Sequence, residues 1–326
     1  MREYRWATLG CGVIAHQLAE ALQAQGRSLY SVANRTREKA VQFAATYGIS
    51  KVYDNIDEVF TDENVDIIYI STPHNTHISY LKQALTHGKH VLCEKSITLN
   101  SAELMLAMDL ARQHQVVLAE AMTIFHMPLY RKLHDLIQQG QLGPLRLLQL
   151  NFGSYKEYNM ENRFFNRKLA GGALLDIGVY ALSLCRWFLS EAPDQVLSQV
   201  KFAPTGVDEQ ASILLMNSQK EMATISLSLH AKQPKRATIV CEEAYIEVFE
   251  YPRADQAVIT YTSDGHKEQL EVGRSQDALL YEVMDMEKTV SDEENCMYLE
   301  YTEDVMQIMT QIRTEWNMKY PEEERD

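Results

Sequence analysis

The chain has 326 residues, 46% apolar and 23% charged, a length that allows two domains with buried interiors and a balance that excludes a disordered polymer. Its formal charge of −14, with no dense Lys/Arg stretch, excludes a nucleic-acid partner, and no run approaches the ~20 apolar residues of a membrane span. The cysteines Cys11, Cys93, Cys185, Cys241 and Cys296 are scattered without C-x-x-C spacing, which argues against a disulfide framework or zinc site and fits a cytoplasmic protein.

Tyr4 to Leu9 reads as a strand and Ile14 to about Ala24 as a helix, with Gly10-Cys11-Gly12-Val13-Ile14-Ala15 between them. This is G-x-G-x-x-A in a strand-to-helix setting, the dinucleotide fingerprint. Gly10 permits the tight turn, Gly12 lets backbone approach a pyrophosphate, and Ala15 lets the helix pack closely on the strand. Val13 and Ile14 open the helix, whose N-terminal N–H groups suit phosphate.

Leu29 to Ala33 is a second strand, and Thr36 is expected to cap a helix that ends at Gly48. Asn34-Arg35-Thr36-Arg37 follows that strand where an NAD enzyme carries an acid. Arg35, with Arg37 as a second candidate, suits a 2′-phosphate, so NADP is favoured over NAD; the bland alternative is a pair of exposed helix-end arginines.

Val65 to Ile70 is an apolar strand ending in Ser71-Thr72-Pro73-His74-Asn75-Thr76-His77. Ser71, Thr72, His74 and His77 are expected to line the nicotinamide; two histidines three apart with no third ligand fall short of a metal set, and no metal is expected. His90 to Ser96 is a further strand, ending in Glu94 and Lys95 at the edge where parallel sheets bind ligands. On these residues alone Lys95 is a surface charge, a salt-bridge partner or an acid–base group. Asn100 and Glu103 form a capping box for the next helix, and Val116 to Glu120 is another strand. Strands and helices alternating over residues 1–121 predict an α/β domain with a doubly wound parallel sheet.

Residues 122–326 change character. Leu145 to Phe152, Gln195 to Ala203, Gln210 to Met216, Ala223 to His230, Ala237 to Cys241, Tyr245 to Glu250 and Gln256 to Tyr261 read as short strands, with Asn217-Ser218-Gln219-Lys220 as a hairpin connection. Two helices, about Ala278 to Ser291 and Thr302 to Asn317, close the pattern. Asp176 and Tyr180, four apart after Gly171-Gly172, project from one helix face. That face serves either chemistry or a hydrogen-bonded domain interface. Tyr155, Tyr158, Arg163, Phe164, Phe165, Asn166 and Arg167 precede it as pocket or interface residues, with Arg163 and Phe165 the candidates for substrate contact beside Tyr180.

Five segments, in order and spacing, resemble the glucose–fructose oxidoreductase/inositol dehydrogenase (Gfo/Idh/MocA) family: Gly10 to Ala15, Thr72 to His77, Cys93-Glu94-Lys95, Glu120-Ala121 with Pro128, and Gly171-Gly172-Ala173-Leu174-Leu175-Asp176-Ile177-Gly178-Val179-Tyr180. A tyrosine at the last position is most similar to the dihydrodiol dehydrogenase branch. The resemblance implies a Rossmann domain over 1–121, and over 122–326 an α+β domain with an open, mainly antiparallel sheet that supports a homodimer or tetramer. It implies an NAD(P)-dependent oxidoreductase acting on a small-molecule diol, sugar or cyclitol. Tyr180 is then the proton donor or acceptor, Lys95 polarises the substrate oxygen, Asp176 orients substrate or lysine, and Glu94 is a positioning or cofactor-side contact. A non-catalytic dinucleotide sensor and a redox-assisted glycoside hydrolase are the alternatives on the same fold. Two departures stand out: Ser96 follows Glu94-Lys95 where the family usually has Pro, and Phe125-His126-Met127-Pro128 lacks the arginine that many relatives carry before the proline.

Overall fold

Trp6–Leu9 (β1) is buried at every position, as a strand must be when helices cover both faces of its sheet. The structure, a computed structural model, describes residues 3–324 and divides into two units, Met1–Ala121 with Leu279–Leu299 and Met122–Ala278 with Glu300–Asp326. In the first unit β1 is followed by Val13–Gln23 (α1), Ser31–Ala33 (β2), Arg37–Tyr47 (α2), Lys51–Val52 (β3), Glu58–Thr61 (α3) and Ile67–Ile70 (β4). His77–Thr86 (α4), His90–Glu94 (β5), Ser101–His114 (α5) and Leu118–Ala121 (β6) complete the alternation.

The strands form one parallel sheet in the order β3-β2-β1-β4-β5-β6. Winding reverses between β1 and β4, and a crevice opens at such a switch point beyond the carboxyl ends of the strands. Leu9 pairs with both Ala33 and Ile70, and Ile70 with Cys93, so Gly10, Asn34, Ser71 and Glu94 emerge along one edge.

Local chemistry explains the helix ends only in part. Asn100 caps α5 by accepting the Glu103 N–H at 2.9 Å, and Glu103 reaches back to the Leu99 N–H at 2.9 Å. Gly48 ends α2 in the left-handed conformation. Thr36, in contrast, occupies the N-cap position of α2 without making the expected side-chain cap.

The second unit begins with Pro128–Gln138 (α6), whose proline sits in the first turn, where no N–H is needed. Leu145–Gly153 (β7) leads through a long connection to a π-helical turn, Leu174–Gly178, which runs into Val179–Phe188 (α7). Gln195–Phe202 (β8), Asp208–Met216 (β9), Met222–Ser228 (β10), Gln233–Cys241 (β11), Ala244–Phe249 (β12), Gln256–Tyr261 (β13) and Lys267–Glu271 (β14) follow. The eight strands lie in the order β14-β13-β12-β11-β7-β10-β9-β8, every pair antiparallel except β7 with β10. β9 and β10 form the expected hairpin, with Met216 opposite Met222 and Lys220 in the left-handed region. Alternation gives the sheet a buried face, including Ala211, Ile213, Ala237 and Ile239. Gly178 lies so close to β10 that a Cβ there would sit 2.8 Å from Leu227.

Ala278–Val290 (α8) and Leu299–Glu315 (α9) end the chain. The division at Ala121 is followed by a return: Leu279–Leu299 belongs to the first unit, not to the second as expected for 122–326. The reason is apolar. Leu279, Val283, Met286 and Met297 share one core with Trp6, Leu18, Leu29 and Phe43. β14 was not expected, since a charged edge strand lacks apolar alternation. The helical stretch Arg167–Phe188 corrects a further expectation: by length and composition it is apolar enough to cross a membrane, but 78% of its apolar window is buried, the condition of a core helix.

Candidate active site

The crevice in the first unit is built around backbone. Gly10 adopts φ +111°, and a Cβ there would lie 2.7 Å from the Ser71 carbonyl oxygen, so only glycine fits between β1 and β4. Gly12 occupies the N-cap position of α1 with no side chain capping the helix, and Val13 is 77% exposed beside it. A helix N-terminus open in this way suits an anion. Ile14 is half-buried and packs against the apolar core.

Gly10, Cys11, Gly12, Asn34, Arg35, Thr36, Lys39, Ser71, Thr72 and Thr76 line one cleft, closed at its sides by Ile56, Pro73 and Tyr80. Six expected residues thus meet around one space. Asn34 turns its Nδ2 onto the Thr36 carbonyl at 2.8 Å, shaping the loop after β2. Arg37 is spent elsewhere, on Asp54 at 2.5 Å. The second cation on the cleft is Lys39, in the first turn of α2, which the sequence reading missed. Burial pushes the Cys11 thiol up to about 11, and the Lys39 charge draws it partly back. The glycine turn, the uncapped helix and paired cations on one cleft fit a dinucleotide phosphate chain.

His77 is corrected. It is fully buried, with Nε2 2.8 Å from the Thr72 carbonyl and Nδ1 3.0 Å from the Ser96 carbonyl, so it ties the loop after β4 to the loop after β5 instead of lining the nicotinamide. Burial depresses its pKa below the ordinary value. His74 remains half-exposed, its ring edge-on to His77 with centroids 5.8 Å apart.

At the end of β5, Glu94 accepts a hydrogen bond from the Tyr69 hydroxyl and one from the Lys95 N–H at 3.3 Å. Lys95 is half-buried, and its peptide bond to Ser96 is cis. Ser96 and Ile97 are buried, the Ile97 N–H donating to Glu120 at 3.0 Å.

In the second unit, the Gly171–Leu189 stretch is buried except at Asp176, Tyr180 and Arg186. Asp176 lies inside the π-helical turn and Tyr180 one position into α7. Such turns recur at functional sites because the extra residue redirects side chains; hydrophobic spacing carries no signal for it. Arg163 pairs loosely with Asp176 at 3.8 Å and stacks on Phe164, with 4.2 Å to the ring centroid. Tyr180 packs beside Phe152, centroids 6.0 Å apart.

Phe165 is a second correction. It is fully buried, edge-on to Tyr158, and its carbonyl accepts from Thr205, so it is a core residue and not a substrate contact. Arg167 is occupied by Glu324 and the Lys319 carbonyl, and His126 is buried.

Comparison with known proteins identifies the family of both parts of the chain. A model of the GFO/IDH/MocA oxidoreductase family with an NAD-binding Rossmann fold matches residues 4–122, and the GFO/IDH/MocA C-terminal domain model matches residues 130–247. The chain is 31% identical to trans-1,2-dihydrobenzene-1,2-diol dehydrogenase of Xenopus tropicalis over 75% of this chain and 74% of that protein. The Xenopus laevis enzyme is 32% identical over 78% of each. In fold, a 3-ketoreductase from Actinomadura kijaniata solved with NADP and TDP-benzene superposes with a TM-score of 0.83 at 22% identity, covering 96% of this chain and 97% of that one. An NAD-binding oxidoreductase from Klebsiella pneumoniae gives 0.88 at 18% identity over 97% of each chain.

Proposed function

The chain belongs to the GFO/IDH/MocA family of NAD-binding oxidoreductases, and we propose that it moves a hydride between nicotinamide and a hydroxyl-bearing carbon of a vicinal diol, sugar or cyclitol, with NADP the preferred cofactor. The observation that carries this reading is the cleft at the switch point, where Gly10 and Gly12 leave room for a pyrophosphate and Arg35 and Lys39 supply two cations for a 2′-phosphate. Bound nicotinamide donates or accepts the hydride.

The chain's own residues then manage the proton and the oxygen. Tyr180 gives or takes the hydroxyl proton, Lys95 polarises the substrate oxygen, and Asp176, steadied by Arg163, orients the substrate. Tyrosine and lysine both titrate near about 10 in isolation, and oxidation needs the tyrosinate form to take the hydroxyl proton. Glu94, braced by Tyr69, fixes the loop that carries Lys95. His74, half-exposed on the loop after β4, is the residue of that loop that we assign to the nicotinamide side of the cofactor.

Assembly into a homodimer or tetramer belongs to the same proposal. Leu197, Leu214, Met222 and Phe249 share the outward face of the eight-stranded sheet by register and are all exposed. A cytoplasmic setting suits the five free thiols.

The test is a paired screen with NADP and NAD over trans-1,2-dihydrobenzene-1,2-diol, aldoses and cyclitols, followed by nicotinamide absorbance. Net NADPH should accumulate with a diol or sugar. Tyr180→Phe should lower kcat by about 10²- to 10⁴-fold with NADP binding unchanged. No net reduction of either cofactor sinks the activity, and wild-type turnover by Tyr180→Phe sinks the tyrosine role.

A further inference from the structure

Asp208, the first residue of β9, is fully buried and takes no part in the chemistry above. Its Oδ2 accepts the Leu174 N–H at 2.6 Å, and Leu174 is the first residue of the π-helical turn. No local side chain caps that turn, so this distant carboxylate supplies the acceptor that a capping residue ordinarily provides.

The fit around it is tight. Gly172 has φ +129°, and a Cβ there would fall 2.2 Å from Asp208 Oδ1 and 3.4 Å from the Tyr320 hydroxyl. Tyr320, also fully buried, donates to the Gly171 carbonyl at 2.8 Å. Its own N–H donates to Glu323 at 2.8 Å, and Glu323 takes two further bonds from the buried Arg313, each 2.8 Å. The segment after α9 and the start of β9 therefore grip the same two-glycine turn. Glu209, the next residue in β9, engages Lys201 at 2.7 Å and Tyr158 at 2.6 Å, so Asp208 is the strand's sole carboxylate on the Leu174 amide.

We propose that Asp208 is a positioning residue: by holding the Leu174 amide it maintains the π-helical turn and so sets the directions in which Asp176 and Tyr180 leave the helix. This rests on the reading that those two residues act on the substrate. A π-helical turn accommodates one residue more than the α-helix it enters, and each residue corresponds to about 100° of rotation in an α-helix. Relaxation into regular helix would keep Asp176 and Tyr180 on one side of the helix but re-aim Asp176 relative to Tyr180 and to the two-glycine turn before it. Burial pushes the Asp208 carboxyl up to about 7, with the Leu174 amide and the Arg313 charge among the groups drawing it back. An acid in such a setting is costly to bury, which accords with a geometric task.

Asp208→Ala removes the acceptor, and Asp208→Asn keeps an amide oxygen for it. With NADP and trans-1,2-dihydrobenzene-1,2-diol, Asp208→Ala should lower kcat about 10- to 100-fold while KM for NADP stays unchanged, the loss expected of a misplaced group. Asp208→Asn should recover most of that loss. Hydrogen exchange read by mass spectrometry should quicken at residues 173–176 in Asp208→Ala and stay at the wild-type rate in β10 and β11; this arm needs no substrate. Wild-type exchange at 173–176, or equal acceleration throughout the second unit, overturns the proposal. Wild-type kcat in Asp208→Ala overturns it too when Tyr180→Phe is impaired; wild-type turnover by Tyr180→Phe instead defeats the reading beneath it.

Discussion

Arg35 and Lys39 lie four residues apart and line one cleft, so their charges add at one place. Arg35→Ala and Lys39→Ala should each raise KM for NADP about 10- to 100-fold, the range of a lost charge-assisted contact, and leave KM for NAD nearly unchanged. Equal losses for both cofactors would instead mark a general role in the loop. Arg35 was legible because its distance from the glycines is set by the βαβ unit. Lys39 was not, because Arg35 precedes α2 and helical spacing does not relate the two, and Arg37 misled because its side chain leans toward Asp54. Phe165 was not legible. An aromatic residue ahead of a glycine pair serves a pocket or a core equally well, and only its neighbours Tyr158 and Thr205 put it in the core.

At the scale of elements, His77 joins two loops that the strand pattern identified separately. Replacing it with Phe removes the one hydrogen bond that a neutral ring donates, to either the Thr72 or the Ser96 carbonyl, a loss of about 1–3 kcal/mol in urea unfolding. The pH dependence has a definite sign. Burial lowers the folded-state pKa of His77 below its unfolded value near 6.5, so the unfolded chain binds the proton first. Its contribution is fully present above about pH 6.5 and declines on acidification toward the depressed folded-state value. His77→Phe should flatten the slope of stability against pH across that window; an unchanged slope would contradict a buried neutral imidazole. The parallel strands, the Asn100 cap and the hairpin at Asn217 were readable from periodicity and turn residues. The π-helical turn was not, because its hydrogen-bond pattern leaves no mark on the order of apolar residues.

On the scale of the whole molecule, the first unit is discontinuous in sequence. α8 brings Val283 and Met286 into its core, and Glu287 accepts the Trp6 indole N–H at 2.8 Å while pairing with Arg27. Met286→Ala should cost about 2–5 kcal/mol, and the weakened unfolding transition should be the one that NADP protects. A shift confined to an NADP-insensitive transition would be inconsistent with α8 belonging to the nucleotide-binding core.

The alternation of strands and helices in the first unit and the glycine turn were determined by the sequence itself, because periodicity and turn chemistry act over short stretches of chain, whereas Lys95, Asp176 and Tyr180 were singled out by family resemblance. Tertiary structure alone decided that α8 completes the first unit, that His77 and Phe165 are interior, that Lys39 shares the cleft with Arg35, and that Asp208 holds the turn before Asp176. Each of those facts depends on which distant side chain fills the space beside a residue, and local sequence patterns do not encode that choice.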